Sequence, residues 1–246
     1  MMIAGFELWQ VAIALLATLA SAYVRGLAGF GLAILLVPVL ALALKPVEAV
    51  LIANMLGLMI GLSEIRWLVR QAERSAWQIG AAVVLTTPPG MALLSITPTP
   101  VARLLIALVA LSAFIAVLLP SRAAQMPGRT TTLLTGAASG LLTGFAGMPG
   151  PPVVPYYVGR AIPREVAKAS MVLVFTIASS TGIVSGLELG TMHWRLALLA
   201  LALFPVVLAG NALGRRALGK ISDRAWRIFA ATVLGAASCA ALIKLV

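Results

Sequence analysis

A chain of 246 residues, 61% apolar and only 10% charged, cannot assemble a water-facing surface, because soluble domains carry roughly 45–50% apolar and about 25% charged residues. The charge is lopsided, 18 Lys and Arg against 7 Asp and Glu for a net +11, and in a membrane protein such an excess orients helices rather than capturing nucleic acid. The single Cys239 excludes an intrachain disulfide and the single His193 a multi-histidine metal site, so no metal or other cofactor is expected.

The run from Trp9 to Ala22 ends in Ala20-Ser21-Ala22 like a cleavable leader. It has only Glu7 ahead of it and no basic n-region, so it reads as a retained membrane segment. Gly and Pro then interrupt the region 8–44, where one expects an irregular pair of helices. Uninterrupted apolar runs follow at about 47–65, 76–96 and 101–120. A second irregular region, 131–158, precedes runs at about 166–187, 194–213 and 226–245. Each run is close to the ~20 residues that cross ~30 Å of hydrocarbon, and none alternates as the strands of a membrane barrel do. The five Trp (9, 67, 77, 194 and 226) fall near segment ends, as interfacial anchors should.

The two irregular regions resemble each other. Gly26-Leu27-Ala28-Gly29-Phe30 matches Gly144-Phe145-Ala146-Gly147-Met148 at an offset of 118, and Val37-Pro38 matches Val154-Pro155 at 117. The same offset of 117 pairs Pro46-Val47-Glu48 with Pro163-Arg164-Glu165, Trp77 with Trp194, and Pro88 with Pro205. A duplication with halves 1–125 and 126–246 is expected.

Charge indicates how the halves are related. Arg66, Arg70 and Arg74 occupy a loop whose counterpart, Glu188 to Met192, has no basic residue. Lys45 to Glu48 sums to zero, whereas its counterpart holds Arg160, Arg164 and Lys168; Arg103 stands alone against Arg215, Arg216, Lys220, Arg224 and Arg227. Loops basic in one half and nearly uncharged in the other are the mark of opposite insertion. With 66–74, 121–129, 160–168 and 214–227 in the cytoplasm, 13 of the 18 basic residues lie inside and both termini outside. The expected fold class is therefore an all-α integral membrane protein: an inverted-repeat helical bundle of about 8–10 segments, including two irregular or re-entrant Gly-rich hairpins.

Inverted repeats with matching interruptions are the architecture of many secondary transporters, whose substrate binds where the interruptions meet. Non-helical backbone is tolerated at membrane depth only where it is buried in protein or lines a wet cavity. Helices restarting after such turns present free N–H groups and partial positive charge, which suits an anion. The alternative is that these glycines only let helices pack closely.

The segments Gly26-Leu27-Ala28-Gly29-Phe30-Gly31 before Leu36-Val37-Pro38, and Gly144-Phe145-Ala146-Gly147-Met148-Pro149-Gly150 before Val153-Val154-Pro155, resemble the duplicated glycine-rich signature of the sulfite exporter TauE/SafE family. The resemblance covers nearly the whole chain. It implies a multi-pass permease of the plasma (inner) membrane for sulfite, organosulfonates or other small anions, with Gly26, Gly29, Phe30, Gly31, Gly144, Gly147, Met148, Pro149 and Gly150 lining the path. The second copy departs from a simple glycine pattern through Pro149, Pro151 and Pro152. The expected partners are a small anionic substrate and the lipid bilayer, with a proton or ion gradient as driving force and a homo-oligomer left open.

Arg25 precedes the first motif and has two readings. At the tip of a re-entrant hairpin it would hold an oxyanion bidentately; at the end of a full span it would reach lipid headgroups. Glu48 and Glu165 fit the helix start Pro at N1, Glu at N3 better than proton coupling. Asn54 and Ser170 lie at nearly matched positions, where they would bond either substrate or neighbouring helices. Ser179, Ser180 and Thr181 are similarly placed, and Gln78, His193 and Arg195 sit at segment ends. No nucleophile–base pair, paired carboxylates or metal set argues for catalysis; the competing readings are a permease for another organic anion or amino-acid-like solute, and a non-transporting assembly subunit.

Overall fold

The computed structural model describes residues 2–3, 5–28, 30–118, 127–158 and 160–217, with isolated positions 232, 239 and 243. Gly29, most of the basic stretches 121–129 and 214–227, and nearly all of the expected segment 226–245 lie outside the described residues. The described chain is all-α. A two-residue antiparallel pairing, β1 (Met2–Ile3) with β2 (Phe6–Glu7), turns at Gly5 ahead of the first helix.

Nine helices follow among the described residues: α1 (Leu8–Ala28), α2 (Leu32–Ala43), α3 (Pro46–Gln71), α4 (Arg74–Ile96), α5 (Thr99–Leu118), α6 (Arg129–Ala146), α7 (Gly150–Val158), α8 (Arg164–Glu188) and α9 (Trp194–Ala217). Five of them, α1, α3, α4, α8 and α9, are long and apolar enough to cross a membrane. Their outer faces carry what hydrocarbon requires: Leu85 is 77% and Ile96 79% exposed. Pro46 opens α3, and the Glu48 carboxylate accepts the Lys45 N–H at 3.1 Å, a helix start of the kind the spacing suggests.

The two irregular regions share one design, a long helix followed by a short one. At 1.5 Å per residue, the 12-residue α2 and 9-residue α7 extend about 18 and 13 Å and cannot span. The break before α2 is made by Gly31, at φ 98°. The break after α6 is an αL cap: Gly147 stands at φ 66°, its N–H bonds Thr143 O at 2.9 Å, and the Met148 N–H bonds Leu142 O at 3.2 Å. Both glycines occupy the left-handed region that a side chain disfavours.

Small residues set the packing. α4 lies along α6 with Gly136 on Ile79 and Ala82, Gly140 on Val83 and Thr86, and Gly144 on Thr87 and Met91. α1 lies along α9, where Gly210 meets Leu19 and Ala22, and Gly26 meets Asn211 and Gly214. A methyl group added at Gly26 would come within 2.9 Å of the Gly214 Cα. The third large interface is α3 against α8, antiparallel, with Leu51 on Gly186, Asn54 on Gly182, Gly57 on Ser179 and Gly61 on Thr176. Exchanging α1 with α6, α3 with α8 and α4 with α9 turns these three pairings into one another.

Candidate functional site

The two chain breaks meet. Phe30, Gly31 and the first turn of α2 (Leu32, Ala33 and Ile34) face the turn Gly147-Met148-Pro149-Gly150 across a cavity of about 80 Å³. Because a single water needs roughly 10–15 Å³, this space holds a small ion with part of its hydration shell. α3 contributes Ala53, Gly57 and Ile60; α7 contributes Val154; α8 contributes Val172, Phe175 and Ser179. Among the described residues, Arg25, near the end of α1, is the one charged residue lining the cavity, and Ser179 adds the one hydroxyl.

Two short helices start at this cavity, but they do not offer the same donors. The first N–H groups of a helix have no intrahelical partner, so Leu32, Ala33 and Ile34 present theirs at the wall. In α7 the corresponding positions include Pro151 and Pro152, which have no N–H. The α2 end therefore concentrates both the helix-dipole charge and the guanidinium. Arg25 makes no hydrogen bond or ion pair among the described residues; the charges acting on it are Glu64, one turn beyond Ile60 on α3, and Arg215 near the end of α9.

Eight of the residues singled out from sequence line this cavity: Arg25, Phe30, Gly31, Gly147, Met148, Pro149, Gly150 and Ser179. α1 runs helically through residue 25, and Arg25 lines the cavity. Gly26 and Gly144 do not line it; they form the close helix contacts of α1–α9 and α4–α6. Asn54 is 1% exposed, lies against Gly182, and neither amide atom has a hydrogen-bond partner among the described residues. Ser170 is engaged elsewhere: its Oγ accepts the Glu73 N–H at 2.9 Å at the start of α4.

Sequence reasoning missed the clamp on the far end of α7. Arg160 donates to both carboxylate oxygens of Glu73, at 2.6 and 2.8 Å, and lies 5.4 Å from the Tyr156 ring centroid and 5.8 Å from that of Tyr157. Ser75 donates to Glu73 at 2.8 Å and stands 2.8 Å from the Tyr157 hydroxyl, while Tyr156 and Thr132 hydroxyls are 2.8 Å apart. The Arg160 hydrogen bonds hold the Glu73 carboxyl below the usual range, against partial burial, and Glu73 in turn raises the Arg160 guanidinium. Two adjacent tyrosines in a chain with three were the available signal.

The end of α2 is held differently. Arg103 donates through Nε to Ala41 O at 2.6 Å and through Nη2 to Leu44 O at 3.4 Å, and Gln10 Nε2 donates to Ala43 O at 2.9 Å. At the 117-residue offset, Arg160 corresponds to Ala43 and Glu73 to Gly190, so neither residue of the clamp has a like counterpart at that offset.

Comparison with known proteins agrees with this architecture. The chain is 27% identical over 206 residues to the probable sulfite/organosulfonate exporter TauE of Cupriavidus necator, covering 80% of each chain. No solved structure matches significantly. The profile of the family described as sulfite exporter TauE/SafE matches residues 13–241. Nearly the full length is thereby accounted for, and the chain belongs to the sulfite exporter TauE/SafE family of membrane transporters.

Proposed function

We propose that this protein is a secondary transporter, working as an exporter, that moves small sulfur-containing anions such as sulfite or organosulfonates across the plasma membrane. The observation that carries the reading is the convergence of Arg25 and the free N–H groups of α2 on a cavity bounded by both chain breaks. A guanidinium beside a helix N-terminus is a ready anion seat, and Phe30, Met148, Phe175 and Ile60 give it apolar walls. The same apolar walls support organic anions as well as inorganic ones, which keeps a broader small-anion permease as the second reading.

The two halves act as inverted repeats in this proposal, residues 1–125 and 126–246, with Arg66 and Arg70 in the last turns of α3, Arg74 at the start of α4, and Arg160 all on the cytoplasmic face, so that the basic stretch expected as a loop is mostly helix. The interchangeable helix pairings support it. Rocking of one half against the other about the α3–α8 crossing would then expose the cavity to each side in turn. The test is flux of labelled sulfite and of a short alkanesulfonate in proteoliposomes. Arg25→Ala should lower flux at least tenfold and Arg25→Lys should retain part of it; unchanged flux in a normally inserted Arg25→Ala protein would remove the anion seat.

A further inference from the structure

Asn54 is the most anomalous polar group among the described residues. Both atoms of its amide are buried without a hydrogen-bond partner, an arrangement native structures rarely keep unless it serves something. Its position explains what. Asn54 follows Ala53 and precedes Gly57 by one turn, and both of these line the cavity. Across the crossing it lies on Gly182, one turn from Ser179, whose hydroxyl lines the cavity and also lacks a partner among the described residues.

Continuing along α3 away from the cavity, Leu51 is seated on Gly186. Beyond it a groove opens at the bundle end, lined by Lys45, Glu48, Thr191 and His193. Glu48 and His193 also line a second groove, which carries Arg195. From Gly57 to Val47 is ten residues, about 15 Å of helix. Over this length the glycines of the crossing meet Ser179, Asn54 and Leu51 in turn.

We propose that the α3–α8 crossing is the closed stretch of the route: Asn54 is a transit site that gives its amide N–H groups to an oxygen of the anion, and Leu51 on Gly186 is the gate between that site and the groove at the bundle end. This rests on the transporter reading. The ligand is an anion because the amide N–H groups are free to donate, the cavity behind them holds Arg25, and the two grooves ahead place Lys45 and Arg195 about Glu48. A cation would want several oxygen ligands, and among the described residues the cavity lining supplies one side-chain oxygen, that of Ser179.

Two measurements test it in proteoliposomes, with methanesulfonate as the probe. Asn54→Leu removes an unpaired amide, so it should melt at the wild-type temperature or higher, yet carry flux at least tenfold slower while methanesulfonate still protects it against heat. Leu51→Cys, in a Cys239→Ser background that is otherwise free of cysteine, should react with a sulfonate-bearing thiol reagent several-fold faster during turnover than at rest. Leu62→Cys, at an exposed position of α3, should show no such dependence. Wild-type flux in Asn54→Leu, or a Leu51→Cys rate indifferent to turnover while Arg25-dependent flux persists, overturns the route and leaves the transporter reading standing. Absence of flux for any anion in the unmodified protein overturns both.

Discussion

The Glu73–Arg160 pair offers the sharpest energetic test of the packing around α7. It joins the α3–α4 turn to the α7–α8 turn, 87 residues away. The relevant magnitude depends on burial: the Arg160 side chain is 5% exposed and that of Glu73 28%. A fully exposed pair is worth about 0–1 kcal/mol, whereas removing one partner of a fully buried pair costs about 3–5 kcal/mol. A bidentate contact with one side still open to solvent falls between, at about 2 kcal/mol of coupling. Arg160→Met keeps the apolar stem but also loses the approach to two tyrosine rings, adding roughly 0.5–1 kcal/mol each, so it should cost about 3–4 kcal/mol in all. Glu73→Gln leaves those ring contacts in place and should cost about 2 kcal/mol. Unfolding of the two single variants and the double variant in detergent micelles, analysed as a double-mutant cycle, gives the coupling directly. A coupling below about 0.5 kcal/mol would refute the assignment of the pair as the clamp on α7.

The same pair sets an acid limit. Because the Glu73 carboxyl titrates below its ordinary 4.5 in the folded protein, its stabilisation is complete above about pH 4.5 and is lost as pH falls through the lower folded value; melting scans should show this acid loss diminished in Arg160→Met. Three glycines separate backbone strain from packing. Gly128→Ala, with open space and an ordinary φ, should be near neutral in thermal unfolding; Gly31→Ala, with open space but φ 98°, should cost about 1–2 kcal/mol; and Gly144→Ala, which drives a methyl into the backbone of Thr87 and Met91, should cost about 3 kcal/mol or prevent insertion. A stable Gly144→Ala protein would mean that α4 and α6 do not pack as described. Cysteines placed at 72 and 191 in the Cys239→Ser background should be labelled from opposite sides of the membrane, and labelling from one side would overturn the inverted orientation.

The long helices were readable because partition of a segment into hydrocarbon depends on that segment's own composition. The apolar runs at about 47–65, 76–96, 166–187 and 194–213 lie within α3, α4, α8 and α9, and α5 follows the run at about 101–120 as far as Leu118; Pro46 with Glu48 marked the start of α3 by purely local chemistry. The interruptions at 8–44 and 131–158 were readable too, since Gly and Pro act on the backbone that carries them. What each polar or small residue does there was not. Gly144 and Gly147 stand three residues apart in one motif, yet Gly144 admits the backbone of α4 and Gly147 makes a left-handed turn. Ser170 looked as suited to substrate as Asn54, but the Glu73 N–H reaches Ser170, and nothing among the described residues reaches Asn54. Ser179 and Phe175 reach the cavity only because Gly57 lets α8 approach α3. By itself, then, the sequence determined a helical membrane protein, the extent of its long segments and where the chain breaks. Only the tertiary structure decided which side chains share the cavity, because whether a polar group is spent or free depends on partners that lie a hundred residues away.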